Sequence, residues 1–235
     1  MAKKPQQLRF TRLKLTNWRN FREADLSLEK RVFIVGPNAS GKSNILDAIR
    51  FLSEIAQASA GGLQAAIHAR GSFSALRCLH SRKTPFVEID AHIGTDDRQE
   101  AWRYLLRINI LKSSRFPTVV HEAVWKDGES VLDRKQDADS DALEFSQTSL
   151  EQVSANKAFR ELAEFLGSCR YLHVVPQIVR DRARGRPEGE DPFGGDLLRR
   201  MKDMKKNTRE ARLQRISEGL KIAVPQFGDI KLEDD

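Results

Sequence analysis

One octapeptide constrains this chain more than any other stretch: Gly36-Pro37-Asn38-Ala39-Ser40-Gly41-Lys42-Ser43, with the spacing G-x-x-x-x-G-K-S. Before it, Arg31–Val35 is a short, apolar, β-branched run that reads as a buried strand. After it, Ile45, Leu46, Ile49, Leu52 and Ile55 recur at helical spacing. Strand, glycine-bearing loop and helix are the setting in which this spacing becomes a phosphate cradle instead of a turn that binds nothing. Gly36 and Gly41 admit torsions closed to residues with a Cβ, so successive N–H groups can point into one concavity. The helix beginning near Lys42 adds unpaired N–H groups and the positive end of its dipole. The expected nucleotide contacts are Gly36, Asn38, Ala39, Ser40, Gly41, Lys42, Ser43 and Asn44. Lys42 reaches the β- and γ-phosphates of ATP in this reading, and the Ser43 hydroxyl ligates Mg²⁺.

With 235 residues, 40% hydrophobic and 31% charged, the chain can bury a sizeable core in one large domain or in one domain and part of another. No apolar run approaches the roughly 18 residues of a membrane span, and the N-terminus has no apolar stretch behind its lysines. Cys78 and Cys169 are far apart and lack metal-like spacing, which reads as two buried thiols in a reducing cytoplasm. The net charge of +7 admits a polyanionic partner, nucleic acid above all, but bears on association and not on fold.

Leu8 to Asn17 alternates and reads as a first strand with a bulge near Thr11-Arg12; Asn17–Phe21 is a turn, and Ala24–Leu28 alternates again. The helix after the loop is expected to run to about Ala60 and stop at Gly61-Gly62, with a short helix near Leu63–His68 following. From Phe86 the period changes to two. Phe86–Ile93, Trp102–Leu111, Val119–Lys126 and Glu129–Leu132 read as an antiparallel meander whose last hairpin turns at Asp127-Gly128. Thr148 and Glu151 have capping-box spacing ahead of a helix striped by Phe159, Leu162 and Leu166. Tyr171–Val175 reads as a buried strand stopped by Pro176. Beyond it Arg180, Arg182, Arg184 and Arg186 stand at alternate positions. Two basic helices follow, striped by Leu197, Met201 and Met204 and by Leu213, Ile216 and Leu220; Pro225 ends the second, and Ile230–Leu232 begins a strand. The expected organisation is a nucleotide-binding lobe over 1–180 and a basic helical segment over 181–235.

The run Gly36 to Ile49 closely resembles the phosphate loop of ABC-type ATPases of the SMC, Rad50, RecF and OLD kind, many of them grouped as AAA family ATPases. The Asn-aromatic-Arg turn between the first two strands and the meander after the first helix support the resemblance. It implies an α/β P-loop lobe with a mixed sheet and an antiparallel meander, followed by the start of a helical lobe. It also implies ATP and Mg²⁺ as ligands and a cytoplasmic role in DNA repair, DNA maintenance or anti-phage defence. Arg19 matches the arginine of the family's turn, which approaches the γ-phosphate. Gln177 stands where the family's glutamine loop lies, its amide meeting Mg²⁺ and the attacking water.

The departure from the family is as informative. Hydrolysis there uses a second apolar strand ending Asp-Glu, together with a serine-glycine signature segment. Neither is present. In Phe86-Val87-Glu88-Ile89-Asp90 the residues alternate, Ala91 replaces the glutamate, and Asp90 reads as a half-exposed strand residue. The chain thus resembles the N-terminal part of an ATPase head, holding the binding half of the site. Hydrolysis is expected only with a complementary segment or chain, or within a homodimer. Two other readings stand beside this one: a non-enzymatic nucleic-acid-binding module using the basic helices, and a P-loop small-molecule kinase. The meander and the Pro37-Asn38 pair argue against the kinase.

Overall fold

The computed structural model describes residues 7–57, 60–81, 84–110, 114–137, 139–180, 191–224, 226–228 and 230. Two compact units, Met1–Arg170 and Tyr171–Asp235, each have their own architecture. The arginines at 182, 184 and 186, Pro225 and the run from Lys231 lie outside the described residues.

The first unit is built on a six-stranded sheet in the order β2-β1-β3-β4-β5-β6. Its strands are β1 (Arg9–Trp18), β2 (Phe21–Ser27), β3 (Val87–Gly94), β4 (Trp102–Asn109), β5 (Thr118–Lys126) and β6 (Glu129–Lys135). Period-two alternation decides which face each strand buries. Leu13 and Leu15 of β1 stand opposite Ala91 and Ile89 of β3, and Tyr104 and Leu106 of β4 continue the layer. Helix α1 (Lys42–Ala56) lays Phe51, Leu52 and Ile55 on that face, flanked by α2 (Gly62–His68) and by α4 (Arg160–Ser168) with Leu162 and Leu166; a short α3 (Phe73–Leu76) adds Phe73 and Leu76. Burying each such side chain stabilises the unit by about 1.5–3 kcal/mol. The bulge falls between Phe10 and Arg12. Asp127 and Gly128 turn the last hairpin with φ of 56° and 83°, as a two-residue primed turn requires.

The mixed sheet expected from sequence is antiparallel throughout among the described residues. The difference lies in Arg31–Val35. This segment enters no ladder, and Phe33 and Val35 are 87% and 89% exposed while Ile34 packs on the core. Among the described residues, one face of the run is covered and the other has no neighbour. Tyr171–Val175 departs in the same way: Leu172 and Val174 are exposed, and the segment forms no strand, with His173 N and Val175 N donating to Pro192 O and Phe193 O. Helix α1 ends at Ala56, earlier than expected, because Gln57 turns away and its side-chain amide donates to Gly167 O at 3.1 Å. Gly61 and Gly62, at φ of 83° and 68°, open α2 instead of closing α1. The Thr148–Glu151 box forms reciprocally, with Glu151 also accepting from Leu63 N, but α4 starts only at Arg160, after a 3-10 turn over Ala155–Phe159.

The sheet's other face carries paired charges. Arg103 donates to both oxygens of Asp90 at 2.8 and 2.9 Å and lies over the Trp125 ring, and Arg107 donates to Glu88. Asp90 is therefore buried, not half-exposed. Burial alone would raise its carboxyl, but His92 and Arg103 outweigh that and hold it at about 2. His92 is in turn raised above its ordinary value of 6.5, chiefly by Asp90, with Glu100 adding. A raised imidazole favours the folded state while protonated. Its contribution is complete below the unfolded value and is lost as pH rises through the folded one. Denaturant unfolding of the wild type is expected to show stability falling with pH above about 6.5, and a His92→Gln variant a flatter profile. Superimposable profiles would contradict the pairing.

The second unit holds α5 (Pro176–Arg180), α6 (Leu197–Lys202) and α7 (Lys206–Ala223). Helix α7 buries none of its residues. Among the described residues, no helix is long and apolar enough to cross a membrane.

Candidate functional site

The phosphate-loop motif lies at the N-terminus of α1 and adopts the backbone its glycines permit. Ala39 and Gly41 occupy the left-handed region at φ of 64° and 100°. For Ala39, a residue with a Cβ, that conformation costs on the order of 1 kcal/mol. Ser40 N donates back to Pro37 O at 3.3 Å, and the Asn44 and Ile45 amides return to Gly41 O. Among the described residues, the amides of Asn38, Ala39, Lys42 and Ser43 donate to no protein acceptor. These donors stand at the positive end of a 15-residue helix. Lys42 Nζ donates to Gly36 O at 2.7 Å and Pro37 O at 2.6 Å, so the ammonium lies across the loop. Concentrated donors and one cation suit an oxyanion ligand.

The turn between β1 and β2 clamps this loop, and sequence reasoning had singled out only Arg19 in it. Trp18, fully buried and 5.3 Å from the Phe51 ring centroid, donates its indole N–H to Asn44 O at 2.8 Å. Asn20 Oδ1 accepts from the Asn44 side chain at 2.8 Å. A Cβ on Gly41 would stand 2.5 Å from Asn20 Nδ2 and 2.6 Å from Phe21 Cζ, so this close approach admits only glycine. Asn17, at φ 57°, anchors the turn by donating to Thr84 O and Phe86 O and accepting from Cys78 N. The one available signal was the pairing of two asparagines with two aromatics within Asn17–Phe21.

Arg19, at φ 53°, donates Nε and Nη2 to Asp47 Oδ2 at 3.1 and 2.9 Å and Nη1 to Ala75 O at 3.1 Å. Arg70 converges on the same carboxylate at 2.9 Å, donates to Glu54 at 2.5 Å, and lies 5.0 Å from the Phe51 ring centroid. Neither Asp47 nor Arg70 was a sequence candidate; charged residues spaced along a helix look alike until the fold pairs them. The structure therefore gathers Arg19, Gly36, Asn38–Ser43 and Asn44 in the first unit. Gln177 lies on α5 of the second unit. Among the described residues, no cluster of three metal-ligating side chains occurs. Both cysteines are free thiols; Cys78 is buried, and burial raises half-buried Cys169 to about 11.

The chain is similar to RecF DNA replication and repair proteins. It shares 32% identity over 109 residues with that of Rhizobium etli, covering 45% of this chain and 28% of the relative. With that of Brucella abortus it shares 37% over 99 residues, covering 40% and 24%. The matched stretch thus spans about a quarter of these relatives. A solved RecF–ATP structure superimposes with a TM-score of 0.40 at 16% identity, over 93% of this chain and 46% of that one. A family model described as "AAA domain, putative AbiEii toxin, Type IV TA system" matches residues 31–166, more than half of the 235. The chain belongs to this AAA-domain family.

Proposed function

We propose that the chain binds ATP with Mg²⁺ and serves as the N-terminal, nucleotide-binding part of an ABC/SMC-like ATPase acting in the cytoplasm in DNA repair, DNA maintenance or anti-phage defence. The carrying observation is that the amides of Asn38, Ala39, Lys42 and Ser43 have no acceptor among the described residues while the Lys42 ammonium lies across the loop. Ser43, exposed at the helix start, is proposed to ligate the metal through its hydroxyl. Magnesium bound there would screen the triphosphate and orient it. Arg19 is proposed to meet the terminal phosphate.

Hydrolysis is assigned to a complementary segment, chain or second copy. Phe33 and Val35, apolar and outward-facing beside the loop, support a neighbouring strand at that position. Isothermal titration of the chain with ATP·Mg²⁺ is expected to show saturable binding with negligible turnover. An absence of binding would refute the reading, and robust turnover by the isolated chain would refute the division of labour.

A second reading gives α7 a nucleic-acid contact. It buries nothing, and Arg209, Arg212 and Arg215 follow one another at three-residue spacing beside Leu213, Ile216 and Leu220. Phosphate contacts predict that DNA affinity falls steeply with salt, with a logarithmic slope of about −0.9 per phosphate neutralised. A flat salt titration would end this reading, since Glu210 and Glu218 would then make α7 an ordinary solvated helix.

A further inference from the structure

Asp47 lies one helical turn beyond Ser43 on α1, where two arginines of different character meet. Arg70 is 4% exposed and has other partners: Glu54 at 2.5 Å, Ala66 O at 2.7 Å and the Phe51 face. Its position does not depend on Asp47 alone. Arg19 is 24% exposed, and among the described residues its guanidinium holds, besides Asp47, only the Ala75 carbonyl. Its backbone is tied down at and beside the residue. Arg19 N donates to Leu76 O at 2.6 Å, and the residues on either side, Trp18 and Asn20, are both bonded to Asn44. Its guanidinium is held on the Asp47 side, while the two residues flanking it hold Asn44 at the end of the loop.

We infer that Asp47 is a positioning residue that decides where Arg19 stands: it holds the guanidinium along α1, and the terminal phosphate of a triphosphate in the loop must draw Arg19 off this carboxylate. The inference rests on the nucleotide reading above and deepens it. A diphosphate has no terminal phosphate to compete, so the Arg19–Asp47 pair stays closed. Breaking the pair costs free energy only when ATP binds, and Asp47 therefore sets the discrimination between ATP and ADP at the expense of ATP affinity. Arg70, held by Glu54, keeps the helix in place when Asp47 loses its charge.

The test measures ATP·Mg²⁺ and ADP·Mg²⁺ affinities for wild type, Asp47→Asn, Arg19→Ala and the double variant, with Lys42→Ala as control. Asp47→Asn is expected to tighten ATP about three- to fivefold, the scale of one partly exposed ion pair, and to leave ADP unchanged. Arg19→Ala is expected to weaken ATP selectively, and in that background Asp47→Asn is expected to do nothing. An unchanged ATP/ADP ratio in Asp47→Asn, or a shift that persists without Arg19, overturns the inference. A second measurement needs no charge-removing variant. The Arg19 Nε–H resonance of wild type, identified by its loss in Arg19→Ala, is expected to move with ATP·Mg²⁺ and stay put with ADP·Mg²⁺; a resonance unmoved by ATP overturns the inference. Wild type that binds neither nucleotide, or Lys42→Ala that binds both normally, fails the loop reading itself and this inference with it. Binding that depends on Lys42 but is indifferent to Asp47 and Arg19 fails this inference alone.

Discussion

Lys42→Ala is expected to abolish measurable ATP·Mg²⁺ binding, weakening it about 100-fold or more. An ammonium bonded to two phosphate oxygens makes charge-assisted hydrogen bonds of about 1.5–3 kcal/mol each, and alanine replaces neither. The folded chain itself loses little. Lys42 caps two exposed loop carbonyls, those of Gly36 and Pro37, and water takes over both when the side chain is removed. Affinity and stability should therefore separate: titration shows the loss while the denaturant midpoint stays near wild type. A variant that still binds ATP at wild-type strength would place the nucleotide elsewhere.

Trp18→Ala is expected to lower stability by about 3–5 kcal/mol, the range for truncating a large buried aromatic. The indole is fully buried against Phe51, so the variant leaves a cavity between β1 and α1. It also removes the N–H donor that reaches Asn44 O at the loop–helix junction. Trp18→Phe separates the two effects. It keeps most of the packing and loses the donor, for a cost of about 1 kcal/mol. Denaturant unfolding of both variants reads the difference: an unchanged Trp18→Phe would show that the indole hydrogen bond contributes nothing, and equal losses would show that the packing does not. Trp18→Phe is also expected to weaken nucleotide binding, because the junction that presents the loop amides loses one of its clamps.

How legible was this in the amino-acid order? Local chemistry was readable. The alternation in β3, β4 and β5, the Asp127-Gly128 turn and the loop with its helix follow from neighbours a few residues apart, and the fold keeps them. What depends on distant partners was not. Nothing near Asp47 in sequence announces Arg19, 28 positions away, or Arg70, 23 positions away. Asp90 looked half-exposed because alternation assigns a face but not a lid; Arg103 of the next strand supplies the lid. The misread strands, Arg31–Val35 and Tyr171–Val175, have the right composition for a sheet interior. Strand formation needs a ladder partner as well as apolar side chains, and composition says nothing about the partner.

The free side of Arg31–Val35 has a consequence for handling the molecule. An extended edge bearing Phe33 and Val35, with no charge between them and no proline within Arg31–Val35, invites pairing with whatever strand it meets first. In a concentrated solution of the purified chain, the most abundant such strand is the same segment on another molecule. Self-association there would compete for one seam with the neighbouring strand proposed above, so the two modes would exclude each other and dilution would favour the heterotypic one.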